Sequence, residues 1–199
     1  MALKFALSVL GTGLYEAERY EESLSVKEAD LAMQRRLGVS KESTLATQSN
    51  LANAYQILGR LEDALRMRQD VYSAYLKLNG EEHISTARAA NNYASVLNAL
   101  ERYGEARELY LKSIPVAQRV LGGNHELTLR MQWIYARPLY SDTNATLDDL
   151  RESLEMFEDL ERTARRVLGG AHPLTMGIEC NLQEVRALLN GSEAPPITG

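Results

Sequence analysis

Leu51-Ala-Asn-Ala-Tyr55-Gln-Ile-Leu-Gly-Arg-Leu61-Glu-Asp-Ala64-Leu65 decides the fold, because the chain repeats its pattern. The same pattern stands without gaps in Leu10-Gly-Thr-Gly-Leu14-Tyr-Glu-Ala-Glu-Arg-Tyr20-Glu-Glu-Ser23-Leu24. It returns in Tyr93-Ala-Ser-Val-Leu97-Asn-Ala-Leu-Glu-Arg-Tyr103-Gly-Glu-Ala106-Arg107. A second marker, Leu-Gly running on to a Thr or a near variant of it, ends at Thr44, Thr86, Thr128 and Thr175, at steps of 42, 42 and 47 residues. A fixed period of this size marks a repeat architecture, in which no unit buries its apolar face alone.

Within a unit, Leu51, Tyr55 and Leu58 recur at helical spacing, and Leu61, Leu65 and the run from Val71 to Leu78 do so again. Each unit is therefore a pair of helices. No stretch shows the strict alternation of a half-buried strand, which excludes a propeller blade of similar period. The fold expected is all-α, a solenoid whose stability is roughly a sum over units and their interfaces. The units fall at about 4–37, 43–78, 85–121 and 127–168, with a final helix at 173–190, all in one array. The remaining 191–199 have linker composition and are expected to be mobile. Pro115 and Pro138 fall inside helices, and with the residues added near Ser141 to Ala145 they predict a bend in the fourth unit.

Composition narrows the function. The 199 residues carry 22 Lys and Arg against 27 Asp and Glu, a net charge of -5, so no cationic field draws nucleic acid or an anionic membrane. Cys180 is the only cysteine, which excludes an internal disulfide and suits a reducing compartment. No apolar run approaches the roughly 18 to 20 residues that span a bilayer. The apolar stretch Phe5 to Leu10 is shorter than a usual signal core of about 7 to 15 residues. A cytoplasmic setting is expected.

The string Leu51, Ala52, Tyr55, then Gly59, Leu61 and Ala64, resembles the tetratricopeptide signature, and Ala106 with Tyr110 matches its later Ala-x3-aromatic element. The longer period, with Leu168, Gly169, His172, Pro173 and Thr175 ahead of a helix, is similar to the repeats of kinesin light chains. HEAT and armadillo repeats share the period but not this string. The chain departs from the signature where Glu18 and Glu101 replace Gly59 and where Gln48 or Ala90 stands for the early aromatic. The resemblance implies a right-handed α-α superhelix that is usually embedded in a longer chain, non-catalytic, and given to binding other proteins.

Nothing gathers the groups that catalysis needs. His83, His125 and His172 each precede a repeat Thr by three residues, so they lie a unit apart rather than around one metal. They read as helix N-caps, with Pro173 at a first helical position. Cys180 reads as a small buried hydrophobe. Gly11 and Gly13 read as close helix contacts, since no Gly-Lys-Ser/Thr follows them. Asn144-Ala-Thr146 fits a glycosylation acceptor, but Thr146 with Asp149 also fits a capped helix start, the reading preferred for a cytosolic chain. Arg35-Arg36 and Arg165-Arg166 suit the negative ends of helix dipoles. No metal and no cofactor is expected.

Family members hold a bound peptide's backbone with an Asn just ahead of the Leu-Ala pair on the first helix of a unit. By resemblance these are Asn50, Asn92 and Asn181, with Val9 and Ile134 interrupting the series. An amide suits this role because it offers donor and acceptor together. Helical spacing puts Ser49, Asn53 and Gln56 beside Asn50, and Arg88, Asn91, Ser95 and Asn98 beside Asn92. In the fourth unit the same face carries Arg130, Trp133, Arg137 and Tyr140. The expected ligand is an extended peptide of another protein, with the arginines favouring acidic residues or a terminal carboxylate. The other reading of the same residues is a solvated polar face on an architectural segment. That segment would assemble through apolar residues at Leu3 to Leu10 or Leu182 to Leu189, and the chain is expected as a monomer or weak homodimer.

Overall fold

A computed structural model describes residues 2–142 and 145–192, with side chains between positions 6 and 191. Asn144 of the glycosylation triplet, part of the insertion near it, most of the 191–199 tail and the side chains of Leu3 to Phe5 lie outside the described residues. The elements are α1 (Ala2–Glu16), α2 (Tyr20–Arg36), α3 (Lys41–Ile57), α4 (Leu61–Asn79) and α5 (Ile84–Ala99), then α6 (Tyr103–Leu121), α7 (Glu126–Ser141), α8 (Leu147–Leu168) and α9 (Pro173–Ser192). The described residues form no strand, and the fold is an all-α repeat. Two compact units divide it, Met1–Arg102 holding α1 to α5 and Tyr103–Gly199 holding α6 to α9. Inside each unit every helix packs on its neighbours in sequence, and in the second unit α7 also meets α9.

Local chemistry starts the helices where the repeat markers fall. Ser40 caps α3 by accepting from the Ser43 N–H. His83, His125 and His172 accept through Nδ1 from the backbone N–H two residues on, at 3.1, 3.1 and 3.2 Å, opening α5, α7 and α9. Thr146 and Asp149 form a reciprocal capping box at the start of α8. Arg35 and Arg36 close α2, and Arg165 and Arg166 close α8. Neither Pro115 nor Pro138 ends its helix; α6 and α7 run on past them.

The turns that follow α1, α3 and α5 share one conformation. Gly59 has φ 73°, and its counterparts Glu18 and Glu101 have φ 59° and 58°. The departures from the signature therefore keep the left-handed geometry, with a Cβ where only glycine is free of strain.

Small residues occupy one register of the second helices. Ser23, Ala64, Ala106 and Ser153 are wholly buried, and at Ser23, Ala64 and Ser153 this allows a close crossing with the first helix of the pair. Of the two early glycines only Gly11 is a close contact, its Cβ position lying 3.2 Å from Lys27 Cγ; around Gly13 there is nothing within 4 Å. One turn beyond the small residues stand Lys27, Arg68, Tyr110 and Phe157, all buried. In the second unit this register is aromatic: Tyr110 meets Tyr135 edge-on at 6.3 Å and Phe157 meets Tyr140 at 5.7 Å. In the first unit it is cationic. Lys27 Nζ donates to the Gly11 carbonyl at 2.6 Å and to Ser23 Oγ at 2.7 Å, above the Tyr15 ring. Its burial pushes the ammonium below the usual lysine range.

Two expectations change. Cys180 is exposed, because it projects from α9 away from the apolar face, with Sγ 4.0 Å from Glu184 Oε1. Leu182, Val185 and Leu189 point into the core of the second unit, packed with Phe157 and Ile178, and of the large apolar residues in that run Leu188 is exposed. Leu182, Val185 and Leu189 are thus core, which leaves Leu188 as the exposed large apolar residue of that stretch, whereas Val9 and Leu10 of the other expected stretch are both exposed. No described helix is long and apolar enough to cross a membrane.

Candidate functional site

The first unit contains a polar cavity of about 270 Å³ between α3 and α5, with Tyr75 of α4 in its wall. Asn50 and Asn53 sit one turn apart on α3, and Arg88 and Asn92 one turn apart on α5. Ser49, Ser85, Ala46 and Ala89 complete the lining. The alanines leave room, and the opposed helices set amide against amide across the gap. The lining holds three side-chain amides, one guanidinium and no carboxylate. Asn50, Asn53 and Arg88 are exposed and Asn92 is half-buried. The Tyr75 phenol is held above its ordinary range by burial first and by the Glu42 carboxylate second, with Arg88 opposing.

Below this lining lies a residue the sequence reading did not name. Arg68, on α4, is 3% exposed; Nη1 donates to the Ser49 carbonyl at 3.2 Å and Nη2 to Asn53 Oδ1. Burial pushes its guanidinium down to about 10. The signal for it was present in the repeat, as a cation where Tyr110 and Phe157 stand in later units. A reading confined to the first helix of each pair passed over it.

The other expected residues lie elsewhere. Asn91 is buried, since on a helix it points about 100° away from its neighbour Asn92. Ser95 is half-buried on α5 and does not line the cavity. The remaining four are in the second unit. Arg130 is exposed and paired with Glu126 at 2.6 Å. Trp133 Nε1 donates to Asn181 Oδ1 at 2.8 Å, and Asn181 Nδ2 donates to Glu184 Oε2 at 3.0 Å. Tyr140 donates to the same Glu184 oxygen at 2.7 Å. These bonds hold the Glu184 carboxyl below the usual range. Arg137 lies over the Trp133 ring at 5.9 Å, and the indole presses on Gly177, whose Cβ position is 2.9 Å away. Asn181, at 9% exposure, has both ends of its amide engaged inside the protein. The structure therefore brings Asn50, Asn53, Arg88 and Asn92 together and ties Trp133, Arg137 and Asn181 into a separate network.

Comparison with known proteins follows the same lines. The tetratricopeptide repeat family model matches residues 43–115 and 85–144. A solved structure of nearly identical TPR-like repeats of a candidate kinesin light chain from Podosopora anserina is 23% identical, with a TM-score of 0.73, over 94% of this chain and 87% of that one. A point-substituted form of those repeats gives a TM-score of 0.75 at 22% identity, over 94% and 86%. BtubC (BKLC) from P. vanneervenii gives 0.64 at 17% identity, over 100% of this chain and 85% of the other. Among curated relatives, the clustered mitochondria protein homologs of Aspergillus niger and Emericella nidulans are 22% identical over 146 residues, 72% of this chain. The match spans 12% of the length of those relatives.

Proposed function

Because the chain belongs to the tetratricopeptide repeat family, we propose that it is a non-catalytic scaffold whose α3–α5 cavity holds an extended segment of a partner protein. The observation that carries this reading is the lining itself: three amides and a cation facing one gap, with no acid to neutralise the cation. An extended peptide presents alternating N–H and C=O groups along its backbone, and Asn50 and Asn92, each offering both a donor and an acceptor, can pair with them from opposite walls. Arg88 adds a donor-only, permanently charged group, which favours a peptide carrying Asp, Glu or a terminal carboxylate. A cavity of about 270 Å³ accommodates one or two side chains of such a segment, with the rest of it lying over the helices. In the second unit, taken by itself, Arg130 and Arg137 are exposed cations that favour acidic residues, while Trp133 and Asn181 hold that unit together. We place the scaffold in the cytoplasm, where the free Cys180 thiol stays reduced.

The experiment is a screen of random dodecapeptides against the whole chain, followed by amide-shift mapping of a retained peptide. Perturbation centred on Asn50, Arg88 and Asn92 supports the proposal. Retention of no peptide, or a footprint that avoids α3 and α5, defeats it.

A further inference from the structure

Arg68 is buried without a carboxylate. It bonds to the Ser49 carbonyl and to Asn53 Oδ1, and its buried Nε has no hydrogen-bond partner among the described residues. Ser49 and Asn53 both line the cavity. Since a guanidinium has donors only, the atom of Asn53 that meets it must be the oxygen, and the amide's orientation is fixed. With Oδ1 drawn down to the cation, Nδ2 and its two hydrogens are the polar group Asn53 has left for the cavity. Asn53 therefore differs from Asn50 and Asn92, which no such cation orients. Lys27, in the matching register, binds a backbone carbonyl and Ser23, not a cavity side chain, and the later units have Tyr110 and Phe157 there.

We infer that Arg68 is the specificity-determining residue of this groove: by holding Asn53 donor-outward above an unneutralised charge, it selects an Asp or Glu side chain of the bound segment over the Asn or Gln isostere. The inference rests on the groove reading above. A carboxylate gains from both features. It accepts from Asn53 Nδ2 and Arg88, and it supplies the negative charge that the buried guanidinium lacks. An amide side chain accepts equally well but leaves that charge unanswered. Arg68 acts through Asn53 and through its field, as a positioning residue that need not touch the peptide.

The test screens one random dodecapeptide library against the whole wild-type chain and its Arg68→Met, Arg68→Lys and Asn53→Asp variants, sequencing the retained fraction and recording melting temperatures. The wild-type chain is expected to enrich Asp and Glu several-fold over Asn and Gln at one peptide position. Arg68→Met is expected to retain peptides while that enrichment falls to the part Arg88 alone supplies, and Arg68→Lys to restore part of the loss. Asn53→Asp gives the guanidinium an internal partner, so it is expected to melt no lower than wild type and still lose the acidic enrichment. If Arg68→Met does not fold, Asn53→Asp decides the matter. Undiminished enrichment in Arg68→Met, or in Asn53→Asp, overturns the inference. A wild-type chain that retains peptides without acidic preference overturns the inference alone, whereas one that retains none overturns the groove reading and the inference with it.

Discussion

Trp133 gives its indole N–H to the side-chain oxygen of Asn181 at 2.8 Å, joining α7 to α9 across the second unit. Asn181 passes the connection on to Glu184, which also receives Tyr140 from α7. A residue whose register invites a ligand-facing reading is thus a brace inside the protein. Replacing Asn181 by Leu leaves the indole N–H and one side of Glu184 unmatched, and is expected to cost about 1 to 3 kcal/mol in urea unfolding. Trp133 is the chain's only tryptophan, so its emission reports the loss directly by moving to longer wavelength. Unchanged stability and emission would mean the bond contributes nothing.

The histidines at 83, 125 and 172 are caps. Each accepts a backbone N–H that the first turn of its helix cannot otherwise satisfy. Substitution of any one by Ala is expected to lower stability by about 0.5 to 2 kcal/mol, with Asn restoring most of it. Chemical denaturation of the three alanine variants and their asparagine counterparts checks this, and an alanine variant as stable as wild type contradicts it.

Glu101 holds a left-handed backbone, φ 58°, in the turn position that Gly59 occupies in the preceding unit. A side chain there costs about 1 to 2 kcal/mol relative to the right-handed region, and glycine escapes most of it despite its greater freedom when unfolded. Glu101→Gly is expected to raise stability by up to about 1 kcal/mol. A lower denaturation midpoint would show that the Glu101 side chain is supplying something larger than the strain.

Tyr55 donates its hydroxyl to Glu28 Oε1 at 2.6 Å, and burial, then the carboxylate, pushes its phenol up to about 12 from an ordinary 10. Between those values the folded chain keeps a proton that the unfolded chain has lost, so stability falls as pH rises through the window and is complete below it. Tyr55→Phe removes that contribution. Melting temperatures of wild type and variant, followed from pH 9 to 12, should show a shallower decline in the variant; parallel declines would contradict the assignment.

The repeat made most of the fold legible. Matched strings around Leu51, Tyr93 and Leu10 gave the helix pairs, and the Thr markers placed the caps to within a residue or two. Asn50, Asn53, Arg88 and Asn92 were legible as one face because α3 and α5 repeat the same register. Asn181 was not, since its occupation by Trp133 depends on two residues 48 positions apart whose meeting no local spacing announces. Cys180 and the run from Leu182 to Leu189 show the same limit: composition says that a residue is apolar, and only the helix phase says which way it points. Arg68 escaped for a different reason. On a solvated helix a cation is unremarked, and it gains meaning only once the burial of its register is seen.

The central claim is that the α3–α5 groove reads a peptide backbone through Asn50 and Asn92. Calorimetric titration of one retained dodecapeptide into wild type and into the Asn50→Ala/Asn92→Ala double variant tests it most directly, with melting temperatures confirming that the variant is folded. Each lost amide should cost about 1 to 3 kcal/mol of binding, so the account predicts affinity reduced at least about tenfold. A folded double variant that binds the peptide as tightly as wild type would contradict it.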